Sequence, residues 1–222
     1  MIVLKQYFSL FIAYAFLGWL MEVVWTLITN KKIVNRGFLI GPYCPIYGVG
    51  CLLLITLLDR YKNDIIVLFI MSIIVCSILE YLTSYIMEKL FKARWWDYSK
   101  YKFNLNGRIC AQTMIPFGIL GVLVVYFLNP FLIKNINIDN IIFTITSIIF
   151  IIDVCLSFGI ITNMKTTISN VSKDSTEEIT KKVREVIRQK SYLHKRLIKA
   201  FPSFKSPLDI LKEVVNKKNI SN

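Results

Sequence analysis

Three acidic residues sit inside apolar stretches of this 222-residue chain: Glu22, Glu80 and Asp153. An ionised carboxyl near the centre of a bilayer costs about 2.5–3.5 kcal/mol on insertion scales, so each calls for a chemical reason. Such acids contact a substrate or a coupling proton, or they pair with a guanidinium and simply hold helices together. Glu80, Ser84 and Glu88 recur at i, i+4 and i+8, which lines them up on one helical face. Glu22 precedes Lys31 by nine residues, Glu80 precedes Lys89 by nine, and Asp153 precedes Lys165 by twelve. At 1.5 Å per helical residue the three carboxylates lie about 13–18 Å in from basic flanks. Three acids at similar depth predict one polar vestibule for substrate or ion, formed by Glu22, Glu80, Ser84, Glu88 and Asp153.

Two loops add polar groups that membrane anchoring does not explain. Asn35, Arg36, Arg94, Asp97, Asn104, Asn106 and Arg108 form a candidate rim on the vestibule. The competing reading pairs each intramembrane acid with Arg36, Arg94 or Arg108, because guanidinium suits bidentate contact with a carboxylate. Trp95, Trp96 and Tyr98, mixed with Lys and Arg, read as interfacial anchors.

The elements that must position these groups are long apolar runs. The chain is 55% hydrophobic with 27 Lys and Arg against 14 Asp and Glu, a net charge of +13, yet its mean hydropathy is +0.55. Both hold only if apolar and basic residues occupy different stretches. That segregation excludes a disordered chain and a disulfide-stapled secreted scaffold. Runs of about 20 apolar residues are Tyr7–Thr29, Ile65–Met87, Ile109–Leu128 and Ile141–Asn163. A weaker one, Phe38–Leu58, cannot be helical before Pro45 and either spans or is re-entrant. The runs do not alternate, so the expected fold is all-α: a polytopic helical membrane protein of about five spans. The first run is too long for a signal peptide and has no small-x-small site after it.

With five spans, 23 basic residues fall on one side and four on the other, which puts the N-terminus outside. With a re-entrant second segment the split is 21 against six, and the N-terminus lies inside. Either way the C-terminal tail is cytoplasmic, at a bacterial inner membrane. The division expected is a transmembrane domain over 1–164 and a basic helical tail over 165–222. That tail carries fourteen basic and six acidic residues. Ser175-Thr176-Glu177-Glu178 is a capping box opening an amphipathic helix, and Ser206-Pro207-Leu208-Asp209 starts another. Basic amphipathic helices beside a membrane lie on anionic lipid or dock a cytoplasmic partner. Nucleic acid has only the charge in its favour and is not expected as a partner.

Several chemistries are absent from the sequence. His194 is the sole histidine, so zinc-hydrolase and histidine-triad sites are excluded, and neither a catalytic residue, a metal nor a cofactor is assigned. Cysteines 44, 51, 76, 110 and 155 show no Cys-x-x-Cys spacing. None of the nine glycines is followed by Lys, so no phosphate-binding Gly-Lys motif exists on this chain.

Five motifs come in order: Gly18-Trp19-Leu20-Met21-Glu22, Asn35-Arg36-Gly37-Phe38-Leu39 leading to Gly41-Pro42-Tyr43-Cys44-Pro45-Ile46-Tyr47-Gly48, Leu79-Glu80-Tyr81-Leu82-Thr83-Ser84-Tyr85, Trp95-Trp96-Asp97-Tyr98, and Asn104-Leu105-Asn106-Gly107-Arg108. Over roughly residues 7–160 the chain resembles the bacterial type IV ABC-transporter permease family, the CmpB-like membrane domain. The resemblance implies a permease-like subunit whose ATPase lies on another chain. A bundle of five helices is thin for a translocation path, so a homo-oligomer is expected. The alternatives are a membrane-embedded enzyme or lipid-binding factor using Glu80 or Asp97 as acid or base, and a structural or regulatory membrane subunit.

Overall fold

The computed structural model describes residues 2–171, apart from 32, 34, 36, 92–94, 137 and 138, and the side chains of 2, 30 and 160–171. Arg36, Arg94 and the tail helices expected beyond residue 171 therefore lie outside the described residues. The fold is all-α and polytopic. Among the described residues, four helical stretches are long and apolar enough to cross a membrane: Val3–Thr29, Ile65–Phe91, Ala111–Asn135 and Asn140–Gly159. They belong to α1 (Ile2–Asn30), α3 (Ile65–Phe91), the run α4 (Ala111–Leu123) to α5 (Asn129–Asn135), and α6 (Asn140–Val171).

The second expected span is only half a helix. α2 covers Pro45–Leu58, 14 residues, or about 21 Å at the α-helical rise, against a hydrocarbon core of about 30 Å. Its start is set by sequence. Pro45 pre-sets the first helical residue and holds Cys44 extended, at φ −115° and ψ 96°. The Cys44 N–H donates to the Ala15 carbonyl, halfway along α1, at 2.9 Å. The stretch before Pro45 thus returns alongside α1 as non-helical backbone, and α2 continues the return.

α2 runs antiparallel to α1 and supplies much of the core. Gly18 lets the Tyr47 ring lie directly on α1: a Cβ there would sit 2.3 Å from the ring. Leu10, Tyr14, Cys51 and Val124 form one buried cluster; Leu54, Leu58, Leu68 and Val125 form another. The Tyr14 phenol donates to Asn129 Oδ1 at 2.8 Å, tying α1 to α5. Between α4 and α5 a π-turn over Val124–Leu128 takes up the extra residue just before Pro130 enters the next helix.

α6 lies parallel to α1. Lys5 donates to Asn140 at their starts, and the Phe8–Phe143 and Phe11–Phe150 pairs follow, with centroids 5.5 and 5.4 Å apart. Its outer face, including Ile141, Ile145, Ile148 and Ile152, is exposed, as a lipid-facing stripe should be. Between α3 and α4 a two-residue hairpin pairs β1 (Asn104–Leu105) with β2 (Ile109–Cys110). Its turn needs left-handed backbone at Asn106 (φ 54°) and Gly107 (φ 66°), which these two residue types tolerate best.

Candidate functional site

The broken second pass brings two of the three intramembrane acids together. Glu22 projects from α1 two turns before its end, and the Tyr47 phenol, from the first turn of α2, donates to its Oε1 at 2.6 Å. Glu80, from α3, is 8% exposed and accepts from the Tyr98 phenol at 3.0 Å. The two carboxyls interact with each other, and each phenol feels both of them. The result is two part-buried carboxyl–phenol pairs near the N-terminal end of α2.

Tyr98 lies in the segment leading to the hairpin. Burial first, and then the Glu80 carboxylate, push its phenol well above the ordinary phenol range. It therefore stays protonated and serves only as a donor to Glu80. The segment that delivers it is pinned from several sides. Trp96 Nε1–H donates to the Arg108 carbonyl at 3.1 Å, and the Tyr98 N–H donates to the Gly107 carbonyl at 2.8 Å. Asp97 folds back on the Ser99 N–H at 3.0 Å.

Asp153 belongs to a different site. Its two oxygens accept the backbone N–H groups of Ile40 at 2.9 Å and Gly41 at 2.7 Å. The Ser157 hydroxyl donates to Oδ1 at 3.0 Å. With 7% of its surface exposed, this acid satisfies the non-helical backbone that α1 cannot serve, which buried amides require. Asn35 shapes the same loop: its Oδ1 accepts from Trp19 Nε1 at 2.8 Å and the Gly37 N–H at 3.0 Å.

The polar stripe on α3 divides likewise. Arg108 donates to Glu88 Oε2 at 2.8 Å and to Ser84 Oγ at 3.3 Å. Its guanidinium also lies 5.7 and 5.4 Å from the Tyr81 and Tyr85 ring centroids. Of the arginines expected to pair with acids, Arg108 thus meets Glu88 and the other two lie outside the described residues, while Glu80 accepts from a phenol and Asp153 from two amides. Asn106 Nδ2 donates to the Tyr81 hydroxyl at 2.9 Å. Asn104 closes the hairpin turn on itself through the Gly107 N–H at 3.0 Å and the Tyr101 carbonyl at 2.7 Å.

Two residues expected as interfacial anchors point inward. Trp95 is 3% exposed and packs on Phe38 and Phe91, centroids 5.3 and 6.2 Å away; Phe91 in turn meets Phe158 of α6 at 5.3 Å. Tyr98 is taken by Glu80. The physical reason is shared: the hairpin segment lies across the bundle end instead of along the lipid, so its aromatic rings cover the core. Sequence reasoning missed Tyr47, Ser157 and the Ile40–Gly41 amides as partners of the acids. A phenol one turn inside a Pro-initiated helix was the available signal for Tyr47. Backbone amides carry no residue signature. Among the described residues no three of His, Cys, Asp and Glu gather as a metal site.

Residues 9–158 match the model of the family described as Putative ABC-transporter type IV. The chain belongs to this family. The matched stretch contains both carboxyl–phenol pairs, the Asp153 cradle and the hairpin, so these are features of the family's part of the chain. No curated protein and no solved structure gives a significant match.

Proposed function

We propose that this member of the family is the membrane-embedded, permease-like subunit of an ABC-type transporter. A polar vestibule around Glu22 and Glu80 contacts the transported substrate or a coupling cation, and Ser84, Glu88 and Asp153 hold its walls. The observation that carries the reading is the pairing of two intramembrane acids beside a helix that starts at mid-bundle. Discontinuous helices whose broken ends meet polar groups are a recurring way to build a substrate site inside a membrane.

The sequence lacks a phosphate-binding Gly-Lys motif, so ATP hydrolysis falls to a separate ATPase subunit. The excess of basic residues at one end of the bundle and in the tail supports an inner-membrane orientation with that end, the vestibule mouth and the tail in the cytoplasm. The reading includes a second copy of the chain completing the path, and a tail resting on anionic lipid.

The test is purification of the full chain from its native membrane, followed by mass spectrometry and flux assays in proteoliposomes. Co-purification of a nucleotide-binding subunit and ATP-dependent flux that is lost in Glu22→Gln and Glu80→Gln are expected. Recovery without an ATPase, together with unaltered activity in both variants, would sink the proposal.

A further inference from the structure

Glu80 is the buried carboxyl that the fold leaves half satisfied. Oε1 has the Tyr98 phenol, but Oε2 is closed off from solvent and has no hydrogen-bond partner. Buried polar atoms are nearly always paired, so an orphan oxygen on an ionisable group needs a reason. Among the described residues, the titratable groups facing it are the Glu22 carboxyl from α1, the Tyr47 phenol from α2, the Cys76 thiol one turn back on α3, and the Tyr98 phenol from the hairpin segment. None of them is a cation. The guanidinium further along the same face, Arg108, is already engaged by Glu88 and Ser84.

We infer that Glu80 is a proton-binding site of this protein, with Oε2 as the atom that takes the proton. The proton comes from water reaching the hairpin end of the bundle. An O–H bond forms on Oε2, the carboxyl passes from one negative charge to neutral, and the hydronium becomes water. Tyr98 goes on donating to Oε1 in both states. A sealed atom with no donor beside it suits a proton, because no larger ligand has to be admitted. Neutralisation also removes a buried charge that no cation among the described residues balances and relieves its repulsion with Glu22. A neutral acid is a poorer acceptor than a carboxylate, so proton uptake loosens the Tyr98 contact while Arg108 keeps the hairpin docked.

The experiment is an infrared pH titration of the purified full chain in lipid nanodiscs, in H2O and in D2O. The expected result is a protonated-carboxyl carbonyl band that grows as pH falls, shifts in D2O, is absent from Glu80→Gln and remains in Glu22→Gln. In Tyr98→Phe the ionised form loses its donor, so the band should persist to higher pH by about one unit. A band that survives unchanged in Glu80→Gln, or a wild-type protein with no carboxyl titrating this way, overturns the inference. If Glu80→Gln does not fold, Tyr98→Phe decides, and a titration identical to wild type there overturns it too. No flux is measured, so this inference and the transporter reading fail independently.

Discussion

Replacing Asp153 by Asn tests whether one carboxylate holds the non-helical half of the second pass in place. Asp153 receives two neighbouring amide hydrogens, at 2.9 and 2.7 Å, and the Ser157 hydroxyl at 3.0 Å. An Asn side chain offers one acceptor oxygen, and its NH2 must face a second N–H donor. The substitution therefore removes one charge-assisted hydrogen bond and leaves a buried backbone N–H unpaired. A bond to a charged group is worth about 1.5–3 kcal/mol, and the unpaired amide adds to that, so a local cost of about 2–4 kcal/mol follows. At about 1.4 kcal/mol per factor of ten, opening of the segment should become about 30-fold to several hundred-fold more frequent.

Hydrogen exchange in lipid nanodiscs, read by mass spectrometry over the peptide spanning 37–44, measures this directly. Faster exchange confined to that peptide is expected, with α6 unaffected. Ser157→Ala keeps both amide bonds and should change the rate by no more than a few-fold. An Asp153→Asn protein whose Ile40 and Gly41 amides exchange at the wild-type rate would refute the reasoning, because some other group would then be holding the backbone.

Gly121→Ala would put a Cβ 2.2 Å from Ser72 Oγ, forcing α3 and α4 apart at a cost of about 1–3 kcal/mol. Thermal unfolding in detergent should show the loss, and adding Ser72→Gly should recover most of it. Arg108→Gln removes an ion pair that is part exposed on the Glu88 side, so the expected cost is only about 1 kcal/mol after screening. Its signature is faster proteolysis within residues 98–108 and a weakened dependence on salt. Cys155 is exposed on α6, and Cys110 is buried within strand β2 of the hairpin. A membrane-permeant maleimide should label Cys155 and an impermeant one should not, while Cys110 resists both until the protein is denatured.

The helices were legible because burial in lipid demands unbroken apolar runs, and four of them came out as helices with ends shifted by a few residues. The acids were legible for the converse reason, since a charge inside such a run stands out. What the acids touch was hidden. Of the three arginines weighed as partners, Arg108 meets Glu88 and Arg36 and Arg94 lie outside the described residues, while Glu22 and Glu80 each accept from a phenol, 25 and 18 residues further along the chain. Tyrosine in a membrane protein reads equally well as an anchor, and only the path of the hairpin segment decides between the two. Depth along α6 groups Asp153 with the other acids but says nothing about azimuth, and its carboxyl faces the returning loop.

The three acids nevertheless serve one construction. Pro42 and Pro45 prevent a helix from crossing where the second pass must return, which leaves backbone amides inside an apolar bundle with no helical partner. Asp153 accepts two of them, and the Ala15 carbonyl accepts a third from Cys44. Fixing that segment sets where α2 begins, and hence where Tyr47 meets Glu22. If Asp153 acts as the anchor of this chain of contacts, Asp153→Asn should disturb Tyr47 and Glu22 as well as the loop. Tyr47→Phe should leave the Ile40 and Gly41 amides protected. Coupling in one direction only separates a scaffold acid from the pair beside α2, and the same exchange measurement on both variants reads it out.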